Sequence, residues 1–279
     1  MVVLVRYAEI GIKGKNRDKF EHALVACIER SLRKHDVKFS KVRRMYGRIC
    51  IETDDPCPCL KHVFGIASFS FAIPTGKTIE EAFAASKQLV AKLSENDSFR
   101  VSCQRLDKKF ALKSQEVCSK LGEMLRAVTK AKVKMEKQTV DVALEIIEGT
   151  IYLLTGRTEG PGGMPIGSEG KVIALIEDDS SVLAALLIMK RGCEIIPAML
   201  KETDLSLLKE FACGQEIKPW HISAINEIDE IAEKRKALAV VINDTFEKIR
   251  SIDLKLLVLR PLSGLTGDEI ANERNAMQC

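Results

Sequence analysis

Between Gly160 and Gly170 the chain reads Gly-Pro-Gly-Gly-Met-Pro-Ile-Gly-Ser-Glu-Gly, a density of chain breakers through which neither a helix nor a strand can run. The 279 residues therefore divide into a longer front part and a shorter back part. That length gives room for about two to three compact units. The two parts differ in charge. Residues 1 to 170 carry 29 Lys and Arg against 21 Asp and Glu, whereas residues 171 to 279 carry 14 against 18. A basic front on a chain whose net charge is only +4 points to nucleic acid, and is equally compatible with a merely solvated face.

Hydrophobic residues at 46% and charged residues at 29% exclude a disordered chain. The longest uninterrupted apolar run, Val182 to Met189, is far shorter than the roughly 18 residues a membrane span requires. The N-terminal Met-Val-Val-Leu-Val meets Arg6 and Glu9 without the apolar region of a secretory signal, so a cytoplasmic protein with no membrane partner is expected. Nine dispersed cysteines are not a disulfide framework. Cys57 and Cys59 are the one close pair, and with no second pair or nearby histidine to complete four ligands, no metal is expected.

Apolar spacing supplies the elements. Val2 to Tyr7 reads as a buried strand, and Phe20, Leu24, Cys27, Ile28 and Leu32 mark one face of a helix that begins near Asn16. Lys38 to Arg44 and Arg48 to Thr53 form a hairpin around Tyr46-Gly47. This first α+β unit spans residues 1–56. In the second, residues 57–160, Thr78-Ile-Glu-Glu81 is a capping box that opens a helix over 78–94. Phe99, Val101 and Cys103 alternate as a strand, Val117 to Val128 carry a helical face, and Val140 to Ile146 alternate again before a turn at Glu148-Gly149. The third unit, 161–279, opens with a buried strand Lys171 to Ile176, an apolar helix to Arg191-Gly192 and a strand from Glu194, which is the pattern of a parallel sheet. Strand-like runs follow at Ala237 to Ile242 and Leu254 to Leu259.

Two glycine-lysine pairs imitate phosphate loops and fail on spacing. Before Gly76-Lys77-Thr78 the required glycine is Phe71, and before Gly170-Lys171 it is Pro165, with Val172 where a hydroxyl should bind magnesium. Longer segments are more informative. Arg6-Tyr-Ala-Glu-Ile-Gly-Ile-Lys-Gly-Lys-Asn-Arg17 resembles the opening of the tRNA 4-thiouridine synthetases (ThiI). Leu60 to Ile66, Arg105 to Phe110, Gly162 to Gly167, Lys190-Arg-Gly192 and Leu259-Arg-Pro-Leu262 continue the resemblance in order. It covers essentially the whole chain. It implies an N-terminal ferredoxin-like domain, a THUMP domain and a parallel-sheet PP-loop domain. The first two would grip the acceptor end of tRNA, and the third would adenylate a uridine for sulfur transfer.

At the chemistry the sequence departs from the family. Where the family has Ser-Gly-Gly-x-Asp-Ser, this chain has Glu177, Asp178, Asp179, Ser180 and Ser181, one residue shorter and with both glycines gone. A carboxylate within about 4 Å of a phosphate charge costs roughly 4 kcal/mol at an effective dielectric of 20. Three such acids imply a degenerate PP-loop without ATP as cofactor. The family's second nucleotide segment is altered at Ile242 to Lys248, and the sulfur-carrying role is not transferred to Cys279. The expected activity is tRNA binding linked to thiolation, with no catalytic residue in this chain and a second copy or an intact PP-loop enzyme as further partner. The alternative is an active uracil 4-sulfurtransferase in which Mg²⁺ bridges Asp178 and Asp179 to ATP. For RNA, two basic clusters stand out beside helix starts: Lys13, Lys15 and Arg17, and Arg105, Lys108, Lys109 and Lys113.

Overall fold

A computed structural model describes residues 1–134 and 136–278, so Cys279 lies outside the described residues. The chain forms two compact units that do not follow chain order. One comprises Met1–Arg6, Phe39–Asp55 and Ser68–Thr158, and the other Tyr7–Lys38, Pro56–Ala67 and the chain from Glu159 onward. No helix among the described residues is long and apolar enough to cross a membrane.

After strand β1 (Val2–Arg6), helix α1 (Arg17–Lys34) belongs to the second unit. The chain then returns to the first unit with β2 (Lys41–Met45) and β3 (Arg48–Glu52), joined by a tight turn in which Gly47 takes φ +73°. Next come β4 (Ser68–Gly76), α2 (Ile79–Val90), β5 (Ser98–Arg105), α3 (Ser114–Thr129), β6 (Lys132–Val133), β7 (Val140–Ile147) and β8 (Thr150–Glu159). The eight strands make one sheet in the order β2-β3-β1-β4-β8-β7-β5-β6. Thr78 caps α2 through the expected box, accepting from the Glu81 amide while the Glu81 carboxylate accepts from the Thr78 amide. Between β7 and β8, Glu148 and Gly149 take φ of +49° and +78°, the two positive angles of a type I′ hairpin.

Alternation sorts the two faces of this sheet. Phe99, Val101, Val142, Leu144, Ile146, Ile151 and Leu153 pack with Val117, Leu121 and Leu125 of α3 in one apolar core. Residues of the opposite parity, including Ser102, Gln104, Asp141 and Glu145, border a polar pocket of about 550 Å³ with Arg6, Ser70 and Arg157. Beside it Glu145, 2% exposed, accepts from Arg6 Nε at 2.8 Å and from Arg48 Nε at 2.8 Å.

The second unit is built on a five-stranded parallel sheet. It contains β9 (Lys171–Ile176), α4 (Asp179–Met189), β10 (Glu194–Met199), α5 (Ser206–Phe211), β11 (Trp220–His221), α6 (Glu227–Arg235), β12 (Ala239–Val241), β13 (Leu257–Leu259) and α7 (Gly267–Gln278). The order β11-β10-β9-β12-β13 places β10 on one side of β9 and β12 on the other. The order therefore reverses at β9. In parallel sheets the crevice outside the strand ends at such a reversal is where ligands bind.

The glycine-rich segment is a packed element of this unit rather than a loose tether. Met164, Pro165 and Ile166 are buried, and Met164 bridges to Arg191. At Gly163, φ is +75° and an added Cβ would lie 2.3 Å from the Lys190 carbonyl oxygen. Gly163→Ala is therefore expected to lower stability by about 3 kcal/mol or more, from left-handed strain and a backbone clash together. Urea unfolding checks this. An effect under 1 kcal/mol would mean that the segment yields without disturbing its neighbours.

Candidate nucleotide loop and basic surfaces

Beyond Ile176, residues 177–181 form the turn from β9 into α4, at the reversal of strand order. In a phosphate loop the backbone amides here point toward an anion. In this chain the amides of residues 177, 178 and 181 are already bonded. The Glu177 and Asp178 amides donate to Ser181 Oγ at 2.9 and 3.1 Å, and the Ser181 amide donates to Asp178 Oδ1 at 3.0 Å. Asp178 is thus the helix N-cap, the ordinary use of aspartate at this position. Ser181, buried at N3, closes the box from the other side.

The remaining polar groups of the turn are tied to the loop after β12. Asn243 Nδ2 donates to Asp178 Oδ1 at 3.0 Å and to Ser180 Oγ at 2.9 Å, and its Oδ1 accepts from Arg250 Nη2 at 2.8 Å. Arg250 also donates from Nη1 to Glu177 at 2.7 Å and from Nε to Asp244 at 2.6 Å. Arg260 Nε reaches the second Asp244 oxygen at 3.1 Å, and Arg274 pairs with Asp179 at 2.6 Å. Burial tends to raise the Asp178 carboxyl, but hydrogen bonds from Ser180, Ser181 and Asn243 outweigh it and hold the group below its ordinary value. Burial likewise opposes ionisation of Asp244, and the Arg250 amide with the Arg250 and Arg260 guanidinium groups reverses the sign. The three loop acids and Asp244 are held by guanidinium, amide and hydroxyl donors of the same chain.

The basic residues divide by use. Lys13 sits 4.7 Å over the Phe20 ring and 3.5 Å from Glu169, and Arg17 donates to Glu21 at 2.7 Å and to the Tyr7 hydroxyl at 2.5 Å. Burial, followed by the hydrogen bond to Glu21, pushes the Tyr7 phenol up to about 12. Lys15 is exposed between them in sequence. In the other unit Arg105 Nη1 donates to the Phe110 and Leu112 carbonyls at 3.1 and 3.3 Å, and so ties down its own loop. Lys108, Lys109 and Lys113 are exposed on that loop. The Lys13 and Arg105 clusters lie in different units. Cys57 and Cys59 are buried, and burial raises the Cys59 thiol. No group of three metal-binding side chains occurs among the described residues.

Comparison with known proteins agrees with this architecture. The family models for the ThiI ferredoxin-like domain and the THUMP domain match residues 2–70 and 76–155. A probable tRNA sulfurtransferase of Caldanaerobacter subterraneus subsp. tengcongensis is 36% identical over 320 residues, an alignment that covers 96% of this chain and 83% of that protein. The chain belongs to the tRNA sulfurtransferase family. Its fold is mixed α/β and combines that family's ferredoxin-like domain and THUMP domain with a parallel-sheet domain. The 320-residue alignment is longer than the chain itself, so the relative carries internal segments with no counterpart here. Two solved structures are similar throughout. The crystal structure of PH1313 from Pyrococcus horikoshii Ot3 has a TM-score of 0.88 at 27% identity, covering 100% of this chain and 99% of that one. A 4-thiouridine synthetase in complex with RNA and bound ATP has a TM-score of 0.76 at 25% identity, covering 99% and 84%.

Arg250, Asp244 and Arg274, central to the loop network, were not among the residues expected at the site. The altered segment Ile242 to Lys248 signalled the region. Nothing local signalled Arg250, whose partner Glu177 is 73 residues away.

Proposed function

We propose that this chain binds the acceptor end of tRNA through its THUMP-bearing unit and serves tRNA thiolation without itself adenylating the uridine. One observation carries the second half: the amides of residues 177, 178 and 181 are bonded within the turn, where a phosphate would need them. An incoming triphosphate would have to displace these bonds and also open the Arg250 links to Glu177 and Asn243. No glycine is present in 177–181 to let the backbone close around phosphates instead. The parallel-sheet unit then acts as a platform, for a second copy or for an intact PP-loop enzyme that supplies the adenylation.

A second reading, an active sulfurtransferase, is favoured by the bound ATP of the similar synthetase–RNA complex. In it Asp178 and Asp179 would turn to a bridging Mg²⁺, and their present donors Ser180, Ser181, Asn243 and Arg274 would have to let go. The first reading needs no such rearrangement.

For RNA contact the exposed Lys108, Lys109 and Lys113 are assigned to phosphates of the single-stranded 3′ end, with Arg105 as the residue that holds their loop. Lys15, which lies in the other unit, is assigned a separate phosphate contact, with Lys13 and Arg17 anchoring its turn. The affinity of the protein for tRNA should fall steeply with salt, and Lys108→Ala/Lys109→Ala/Lys113→Ala should flatten the log-log slope by about 0.7 for each lost contact. A slope unchanged by the triple substitution moves the phosphate contacts elsewhere.

A further inference from the structure

At the far edge of the eight-stranded sheet, a wide groove of about 700 Å³ runs along β6 and the last turn of α3. Four cations line it, Arg126, Lys130, Lys132 and Lys134, against the single acid Glu95. All four are exposed, and among the described residues none has an ion pair. This sets them apart from Lys13, Arg17 and Arg105, whose side chains bond within the protein. The backbone under them is fixed: the Lys132 and Lys134 amides donate to the Asp97 and Phe99 carbonyls at 3.0 Å each.

We propose that this groove holds the phosphate backbone of a base-paired RNA segment, the acceptor-stem duplex of the tRNA whose 3′ end reaches the Lys108–Lys113 loop. The inference rests on the tRNA reading above and extends it to a second surface. Charge complementarity selects a polyanion. The groove has no aromatic side chain among its lining residues, so it offers no stacking platform for unpaired bases. Recognition by phosphate contacts and shape alone is how double-stranded RNA is bound. Position agrees. The groove lies at the Ser98 end of β5 and the Lys108–Lys113 loop follows its Arg105 end, about 23 Å away at roughly 3.3 Å per residue. A ligand that touches both must extend beyond a short single-stranded tip.

Lysines on an edge strand also block edge-to-edge pairing. That role accounts for Lys132 and Lys134 on and beside β6, but not for Arg126 and Lys130 at the end of α3.

The test compares the full chain with its Lys130→Gln/Lys132→Gln/Lys134→Gln variant, using whole tRNA and a single-stranded oligonucleotide of the tRNA 3′ sequence. The variant should bind tRNA about tenfold or more weakly at low salt, with the log-log slope flattened by about 0.9 per lost duplex contact. Its affinity for the single strand should be unchanged, and Lys130→Arg/Lys132→Arg/Lys134→Arg should restore tRNA binding. An unchanged tRNA affinity, with or without increased aggregation, overturns the groove and leaves edge protection as its role. Equal losses for both RNAs also overturn the assignment to a duplex. Wild-type protein that binds neither RNA overturns the tRNA reading itself, a result distinguishable from the others.

Discussion

Glu145→Ala is expected to lower the stability of the first unit by about 3–5 kcal/mol, the range for removing one partner of a buried ion pair. The Glu145 side chain is 2% exposed, and those of Arg6 and Arg48 are 11% and 9%. Both guanidinium groups would lose their carboxylate, and the polar pocket beside Arg6 and Glu145 would supply water to Arg6 but not directly to Arg48. Arg6 would keep Ser70 at 3.0 Å, and Arg48 would keep Gln104 at 2.8 Å, so neither is stripped of every acceptor. The loss reflects charges left behind, not a large favourable energy of the triad. Replacing all three residues by apolar side chains of similar volume should accordingly recover most of it. Urea unfolding of the single and triple variants separates the two statements. A single variant within 1 kcal/mol of wild type would mean that water reaches Arg6 and Arg48.

Asp244→Ala should cost about 2–3 kcal/mol in the second unit. Its side chain is 1% exposed, but Arg250 and Arg260 are 29% and 26% exposed, so solvent screens part of what they lose. The pH dependence follows from the same bonds. The folded Asp244 carboxyl lies below its unfolded value despite burial, because the Arg250 and Arg260 donors favour the ionised form. A depressed folded value contributes stability that is complete above the unfolded carboxyl value of about 3.9 and is lost as pH falls through the folded one. Wild type should therefore lose stability below about pH 4 more steeply than Asp244→Ala. Parallel curves would show that Asp244 is not linked to folding in this way.

Much of the fold was legible because local patterns and tertiary structure agree. The strand at Val2, the helix face from Phe20 to Leu32, the Thr78 capping box and the strand, helix, strand run from Lys171 to Met199 all lie where apolar spacing put them. The strands β4 and β8 were not anticipated, although they stand side by side in the middle of the sheet. Pro74 interrupts the alternation of β4, and β8 ends in the polar Thr155 to Glu159, so neither reads cleanly as a strand. Their pairing spans about 80 residues of chain, a relation no local pattern records. Sequence also could not reveal that α1 and Pro56–Ala67 join the second unit while their neighbours stay in the first.

At the loop, the sequence supplied the lost glycines and the three acids, and suggested repulsion as the obstacle to a nucleotide. The structure adds a different obstacle. Glu177, Asp178 and Asp179 are each held by a partner, and the Ser181 hydroxyl takes two of the amides a phosphate would use. Ser181 at the third helical position carried that signal, since a hydroxyl there reaches back to the preceding turn.

Single-turnover incubation of the protein alone with tRNA, Mg-ATP and a persulfide donor, measuring pyrophosphate release and 4-thiouridine, tests the central claim most directly. The expected result is no pyrophosphate and no 4-thiouridine above background from this chain, with product when an intact PP-loop enzyme is added. Stoichiometric pyrophosphate together with 4-thiouridine from this chain alone would contradict it, and would mean that the Asp178 cap and the Arg250 network open to admit ATP.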